Sequence, residues 1–462
     1  MANTPVTEPK RRFSVVVIGG GIGGLAAAIG LRLSGQQVTV VEQRAKYLGE
    51  TGSVRQGLNQ TANSKICLYA LGLEEAFHKI ADSSYDVKVK RYSDGQTINA
   101  ITKKRSFSMV HREDLLRILY QRAVEVGVEI ITGETFESLE DTTQQVNIQF
   151  RGGRTLQADL VVGADGIHSK VRKFIPSARN ANAQPTGDCC FLVDVPKSIM
   201  DKSPSTAALY KSGEDPFHFT VGPGRCIVSW TITTRELYHL QLCDFQYGDG
   251  KAYGLSEKDE SPFVSTFTNM PAFRERWSDF DEAIRTLLNE TNVCTKWRIA
   301  ETPLSMPWWS PTNRIVLIGD AAHTFEPFAG QGAAMAIEDA TVLSRLIARA
   351  SRDPSISLND ILTAYETIRR PRVNGIRQIV KANVAIFSLA DGEKQAERDR
   401  NIGKKGFSMV NDEVAGRKGP YRGNAKWSTE QSYAFTEGYD AIKEADGYQF
   451  GRQGGGMRES HI

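Results

Sequence analysis

The segment "FSVVVIGGGIGGLAAAIGLRLSGQQVTVVE", Phe13 to Glu42, limits the fold more than any other part of the chain. Its first run is β-branched and suits a strand buried in a parallel sheet. Small residues then open a helix that Gly35 closes, and "QQVTVVE" reads as a second strand. The whole is one β-α-β unit with a glycine-rich turn at its first junction. That turn has the spacing Gly19-x-Gly21-x-x-Gly24. Gly19 permits a tight turn off the strand, Gly21 lets a pyrophosphate approach the backbone, and Gly24 lets the helix pack against the strand. Free N–H groups at the helix start favour an anion there. Glu42 ends the second strand, where a carboxylate can accept both hydroxyl hydrogens of an adenosine ribose and would repel a 2′-phosphate. FAD or NAD therefore fits this turn better than NADP.

A chain of 462 residues exceeds one ordinary core, so at least two domains are expected. Residues 13–176 read as the first part of the dinucleotide domain. From 177 to 301 strand-like pieces dominate ("CCFLVDV", "FHFTVG", "RCIVSWTITT") and suggest an inserted β-rich domain, which part of 85–110 could join. The α/β pattern returns over 302–392 with long helices. Residues 393–462 read as a polar tail, disordered over its last dozen positions.

The net charge of +3 gives no case for nucleic acid as a partner. No run of about 18 apolar residues suggests a membrane span. The polar start "MANTPVTEPKRR" has no secretory character, and Lys10–Arg12 read as a solvated entry to the first strand, so a cytoplasmic protein is expected. Cys67, Cys189, Cys190, Cys226, Cys243 and Cys294 show no C-x-x-C or zinc spacing. They read as inert thiols in a reducing compartment, and no metal is expected.

Two further strand-turn segments stand far downstream: "LVVGADGIHSKVR" and "IVLIGDAAHTFEPFAGQGAAMAIEDA". With "GGGIGG" they form a set that closely resembles the single-component FAD-dependent aromatic monooxygenases, the group of p-hydroxybenzoate and salicylate hydroxylases. The resemblance covers roughly residues 13 to 400. "AYETIRRPRVNGIRQ" and "LADGEKQAERD" favour the salicylate-hydroxylase-like branch. It implies an α/β fold: a Rossmann-like FAD-binding domain of glutathione-reductase type, an inserted β-sheet-rich substrate domain, and C-terminal helices. It also implies one non-covalent FAD spanning both distant loops. Gly19, Gly21, Gly24 and Glu42 would hold its ADP half. Arg112, in "VHREDL", would reach the flavin side, and Asp165 would serve FAD and NAD(P)H handling. Asp320 would bond a ribityl hydroxyl, the backbone of Gly330–Gly332 would lie beside the isoalloxazine, and Pro327 would line the reaction face. His323 is expected to be structural. Glu326 and Phe328 lie where flavin or substrate could touch them. Trp308 and Trp309 are expected to pack in the core or a domain interface.

By the same resemblance, NAD(P)H reduces the flavin, O2 adds at C4a, and the hydroperoxide hydroxylates an electron-rich aromatic substrate. Nicotinamide would bind without a Rossmann unit of its own. A monomer or homodimer is expected. Some positions depart from the pattern. Leu192 stands where fungal-type relatives often have an arginine, and "FTVGPG" lacks a tyrosine often found nearby. The stretch "ETGSVRQGLNQTANSK" is also unusual, and Arg55 or Lys65 could supply a charge there instead. An anion buried without a cation is costly. Epoxidation of an indole-type or polyketide natural product is therefore an open alternative. So is a flavin oxidase or dehydrogenase that inserts no oxygen.

Overall fold

The computed structural model describes residues 10–46, 56–210, 217–256, 263–303, 305–401 and 434–451. Strands β1 (Ser14–Ile18) and β2 (Gln37–Glu42) flank the helix Ile22–Leu33, as the β-α-β pattern requires. They are the middle of a five-stranded parallel sheet, with β6 (Glu129–Thr132) beside β2, β10 (Leu160–Gly163) beside β1, and β17 (Ile315–Leu317) beyond β10. Val15, Val16 and Val17 are buried, which is what a strand covered on both faces needs. Successive strands at the centre come from positions some 150 residues apart, so chain-distant turns meet at one sheet edge.

Small residues set the helix packing. A Cβ on Gly30 would stand 2.5 Å from the Ser344 hydroxyl, and one on Gly23 would stand 3.1 Å from the Ala336 Cβ. The first helix therefore presses closely against the helix Gly332–Arg352.

The second sheet has nine strands. In spatial order they are β15 (Val264–Phe267), β16 (Cys294–Glu301), β11 (Gln184–Pro196), β14 (Leu237–Asp244), β13 (Arg225–Ile232), β12 (Phe217–Gly222), β4 (Asp82–Arg91), β5 (Thr97–His111) and β3 (Gly57–Gln60). The β12–β4 junction is parallel, pairing Phe217 with Val87. Period-two alternation divides its side chains. Cys189, Phe191 and Val193 join an outer core with Trp277 and Leu287, under the helices Met270–Arg276 and Glu282–Glu290. Cys190 joins the main core with Cys226, Cys243 and Trp230. The vicinal cysteines thus part to opposite faces; the nearest thiol to Cys190 is Cys243, with the sulfurs 3.3 Å apart. All six cysteines are buried and none is in a disulfide. A smaller antiparallel sheet, β7 (Phe136–Asp141), β8 (Val146–Phe150) and β9 (Thr155–Ala158), links β6 to β10.

The polar tail expected from residue 393 is not uniformly a tail. Residues 434–451 return to the body, where the helix Ala441–Gly447 lies on Gly332–Arg352. The reason is aromatic: Phe435 and Tyr439 place their rings on the Arg372 guanidinium at 5.0 and 4.5 Å. The last dozen positions, for which disorder was expected, fall almost entirely outside the described residues. Among the described residues, no helix is long and apolar enough to cross a membrane, and no His, Cys, Asp and Glu cluster suits a metal ion.

Candidate active site

The three distant turns meet at one edge of the parallel sheet, because β1, β10 and β17 are adjacent and end together. Gly19 leaves β1 with φ +103°, and a Cβ on it would lie 2.5 Å from the Ala164 carbonyl oxygen. A Cβ on Gly24 would lie 2.0 Å from the Gly19 carbonyl oxygen. Both positions are closed by backbone. Gly21 differs: nothing lies within 4 Å of where its Cβ would stand. It is also the N-cap of the first helix and offers no side chain to the free N–H groups behind it. Glu42 braces this turn, accepting from the Gly20 N–H at 2.8 Å and the Arg44 N–H at 3.0 Å.

Asp320 begins the turn after β17. Its side chain is exposed. Even so, the protein surrounding it desolvates the carboxyl and raises its pKa, against the opposing pull of His323 and Arg112. Together these facts describe a carboxylate on the floor of a deep cleft. Arg112 opens the helix Arg112–Glu125, its backbone N–H donating to Gln56 at 2.9 Å, and its charge is felt at Asp320. Further along the loop, the Gly330 N–H closes a turn on the Pro327 carbonyl at 2.8 Å. Gly330 and Gly332 are exposed and Pro327 is half-buried. Gly332 starts a 21-residue helix and has open space where a Cβ would stand.

Beneath this loop lies a buried polar network. Asp339 accepts from the Gly319 N–H at 2.9 Å, pairs with His323 Nε2 at 2.5 Å, and accepts from Arg369 Nε at 2.8 Å. Burial pushes its carboxyl up, but His323 and Arg369 overcome this and hold it at about 2. Glu338 takes Arg369 at 2.5 Å, Arg372 at 3.1 Å and the Asn63 amide at 2.7 Å. Asn63 also donates to Gln331 at 2.9 Å, and Gln331 donates to Thr61 at 3.0 Å. One set of charges thus fixes the Asp320 turn and the Gly330–Gly332 turn together. His323 serves this scaffold. The Trp308 ring stacks between its neighbours, 5.2 Å from His323 and 4.5 Å from the Arg370 guanidinium, and Trp309 donates to Glu366 at 2.6 Å.

The middle motif is also held internally. Asp165 accepts from the Ser169 hydroxyl at 2.6 Å and from the Lys170 and Val171 N–H groups at 2.7 and 3.1 Å. Arg172 behind it donates to the Ala321 carbonyl at 3.0 Å and to the Ile167 carbonyl at 2.9 Å. The motif is a strut that ties the end of β10 to the residue after Asp320.

On the sheet side, Leu192 is buried and brings no charge. Arg55 lies outside the described residues. Lys65 bonds the Ser108 hydroxyl at 3.3 Å, and burial lowers its pKa against the pull of Glu437. Phe328 packs edge-on against Phe245 at 4.8 Å. Glu326 is buried beside Pro327, and Asp188 stands half-buried on β11. Sequence reading gave no role to Asp188, to the Gln331 side chain, or to Asn63, Glu338, Asp339, Arg369 and Arg372. The available signal was an acidic pair inside the apolar helix pattern "AAMAIEDATVL", since buried charges are rare unless paired.

These features fit FAD. The space at Gly21, the brace of Glu42, the exposed carboxylate of Asp320 and the uncapped helix start at Gly332 are the kinds of group a long dinucleotide needs. The family described as FAD binding domain matches residues 12–261 and 278–380. The FAD-dependent monooxygenase OpS4 of Beauveria bassiana (strain ARSEF 2860) is 28% identical over 96% of this chain and 97% of its own. The salicylate hydroxylase of Pseudomonas putida is 26% identical over 83% of this chain and 88% of its own. Among solved structures, CtdE in complex with FAD and a substrate superposes with a TM-score of 0.74 at 19% identity, covering 94% of this chain and 97% of that one. A salicylate hydroxylase substrate complex gives 0.69 at 21%, covering 88% and 97%. The chain belongs to the FAD binding domain family.

Proposed function

We propose that the chain is an NAD(P)H-consuming FAD monooxygenase that hydroxylates an electron-rich aromatic ring. Ring C–H, O2, NAD(P)H and a proton would give ring C–OH, NAD(P)+ and water. The observation that carries this reading is the convergence of the turns after β1, β10 and β17 at one end of the parallel sheet, in a chain that also builds a nine-stranded second sheet. Bound FAD supplies the hydride and oxygen chemistry; the protein supplies position, dryness and polarity. The Gly19–Gly24 turn would hold the pyrophosphate and Glu42 the ribose. Asp320 would accept from a ribityl hydroxyl, with Arg112 across the cleft. The helix start at Gly332 would favour negative charge on the ring edge beside it. Pro327 would line the reaction face, and Asp165 would hold the middle turn in place for both nucleotides. The sheet would keep water from the reacting centre. NAD(P)H supply and six thiols outside any disulfide suit the cytoplasm.

Leu192, buried and uncharged, favours a second reading on the same chemistry: epoxidation of a larger neutral ring. Purified protein should be yellow, and NAD(P)H consumption should rise with an aromatic ligand. Products formed under 18O2 should carry one labelled atom, as a phenol or an epoxide. Rapid NAD(P)H oxidation with no label in any product would transfer the assignment to an oxidase.

A further inference from the structure

Glu326 immediately precedes Pro327 in the loop that forms the cleft floor. Only 6% of its surface is exposed. Its Oε2 makes no hydrogen bond among the described residues. Folded proteins rarely leave a buried acceptor unmet unless something else is meant to meet it. A second carboxylate, Asp188, lies near enough to feel the charge of Glu326. Asp188 sits where the register of β11 slips against β16, between Pro185 and Cys189, and the Thr186 hydroxyl bonds it at 3.2 Å. Burial first, then the charges of Glu326 and Asp244, push the Asp188 carboxyl up to about 6.

Two cations whose fields reach Glu326 are paired with Glu301 instead, although Arg377 Nε makes no hydrogen bond among the described residues. Arg377 donates to Glu301 at 2.7 Å and to the Thr302 carbonyl at 2.8 Å, and Lys381 meets Glu301 at 3.5 Å. Their fields and that of Glu301 reach Glu326, whose carboxyl is nevertheless raised, by burial first. Asp244 is held by Arg276 at 2.8 Å and by the Tyr253 hydroxyl at 2.8 Å. Further along β11, Leu192 offers no charge. An aromatic acid entering here would set its carboxylate against two carboxyl groups. A ring bearing a hydrogen-bond donor would complete the unmet oxygen.

Resting on the monooxygenase reading above, we propose that Glu326 anchors the substrate, and that the substrate presents it an N–H donor and no carboxylate. A basic aromatic amine and a neutral indole-type N–H share this chemistry.

The test uses the full chain loaded with FAD. Titration calorimetry and flavin absorbance changes measure binding of three matched ligands: an arylalkylamine, an indole, and the corresponding aromatic carboxylate. Both donors should bind at least tenfold tighter than the carboxylate. Glu326→Ala should weaken both donors about tenfold or more at unchanged FAD content. Glu326→Gln keeps an acceptor but no charge. It should spare the indole and weaken the charged amine, and the donor that the parent protein binds more tightly tells whether the substrate is basic or neutral. Because Glu326→Gln relieves a buried unmet charge, its Tm should equal or exceed that of the parent protein, so loss of fold does not obscure the result. Preference for the carboxylate, or donor binding unaffected by Glu326→Ala, overturns the proposal while leaving the monooxygenase reading intact. If no ring binds and none stimulates NAD(P)H oxidation, both fall.

Discussion

Two glycines three positions apart do different work here. Gly24 is closed by the Gly19 carbonyl and Gly21 is open. Gly24→Ala should destabilise the FAD-free protein by several kcal/mol through overpacking, read as a fall in urea midpoint. Gly21→Ala should leave that midpoint nearly unchanged and instead cut FAD occupancy, read from the ratio of flavin to protein absorbance. Equal effects on the midpoint would end this division of labour. On the proposed role of Asp320, Asp320→Ala would remove one charge-assisted bond worth about 1.5–3 kcal/mol, so FAD should bind roughly 10- to 100-fold more weakly. Asp188 gives a pH signature. Its pKa rises on folding from 3.8 to about 6, so the folded state holds the proton more tightly. Its contribution is complete below the unfolded value and is lost as pH rises through about 6. Against Asp188→Asn, the parent protein should lose Tm between pH 4 and 7; parallel curves would mean the carboxyl is not raised. The Gly19–Gly24 turn was readable from sequence because its spacing is local. Asp188 was not, because its setting depends on a register slip between strands more than a hundred residues apart.

At the level of elements, the helices Gly332–Arg352 and Leu358–Phe387 face each other through charge. Two carboxylates on the first and two arginines on the second are fully buried, or nearly so. Removing one partner strands the others. Arg369→Met should cost about 3–5 kcal/mol, seen as a lower denaturation midpoint, and should loosen FAD as well, because Asp339 also holds the Gly319 turn. A large stability loss with normal FAD affinity would separate the network from the loop. The segments "AIEDA" and "TIRRPR" were both visible in the sequence, but their pairing was not. Helical periodicity shows which face is buried, and not which distant charge meets it. The second sheet shows the same limit. Its strands could be read from alternation, while the parallel junction of β12 with β4 joins residues about 130 apart and leaves no local trace.

Across the whole molecule, the returning segment 434–451 completes the network. Arg372 donates to the Phe435 carbonyl and, at 2.9 Å, to the Thr436 carbonyl. Arg345 pairs with Asp446 at 2.5 Å, and Arg349 donates to the Ala445 and Tyr448 carbonyls, each at 2.7 Å. Deleting residues 434–462 should therefore lower the Tm and increase FAD release, acting through Arg372 and the buried charges it meets. Unchanged FAD retention would show that the segment only covers surface. Composition gave the impression of a polar tail because Phe435 and Tyr439 are isolated aromatics in a hydrophilic stretch, and their arginine partners lie more than sixty residues upstream.

The spread of these contacts along the chain also orders events in time. During synthesis the Gly19–Gly24 turn leaves the ribosome early, but its neighbour β10 follows some 140 residues later, β17 about 150 residues after that, and Phe435 later still. At translation rates of about 5–20 residues per second, the Gly19–Gly24 turn is made well before the Asp320 and Gly330–Gly332 turns. On the proposed reading, a nascent chain would hold an adenine nucleotide before it could hold a flavin, and firm cofactor retention would be one of the last properties the growing protein acquires. Stalled chains released at increasing lengths should show that sequence directly, with nucleotide binding appearing first and stable flavin colour only once residue 451 is free.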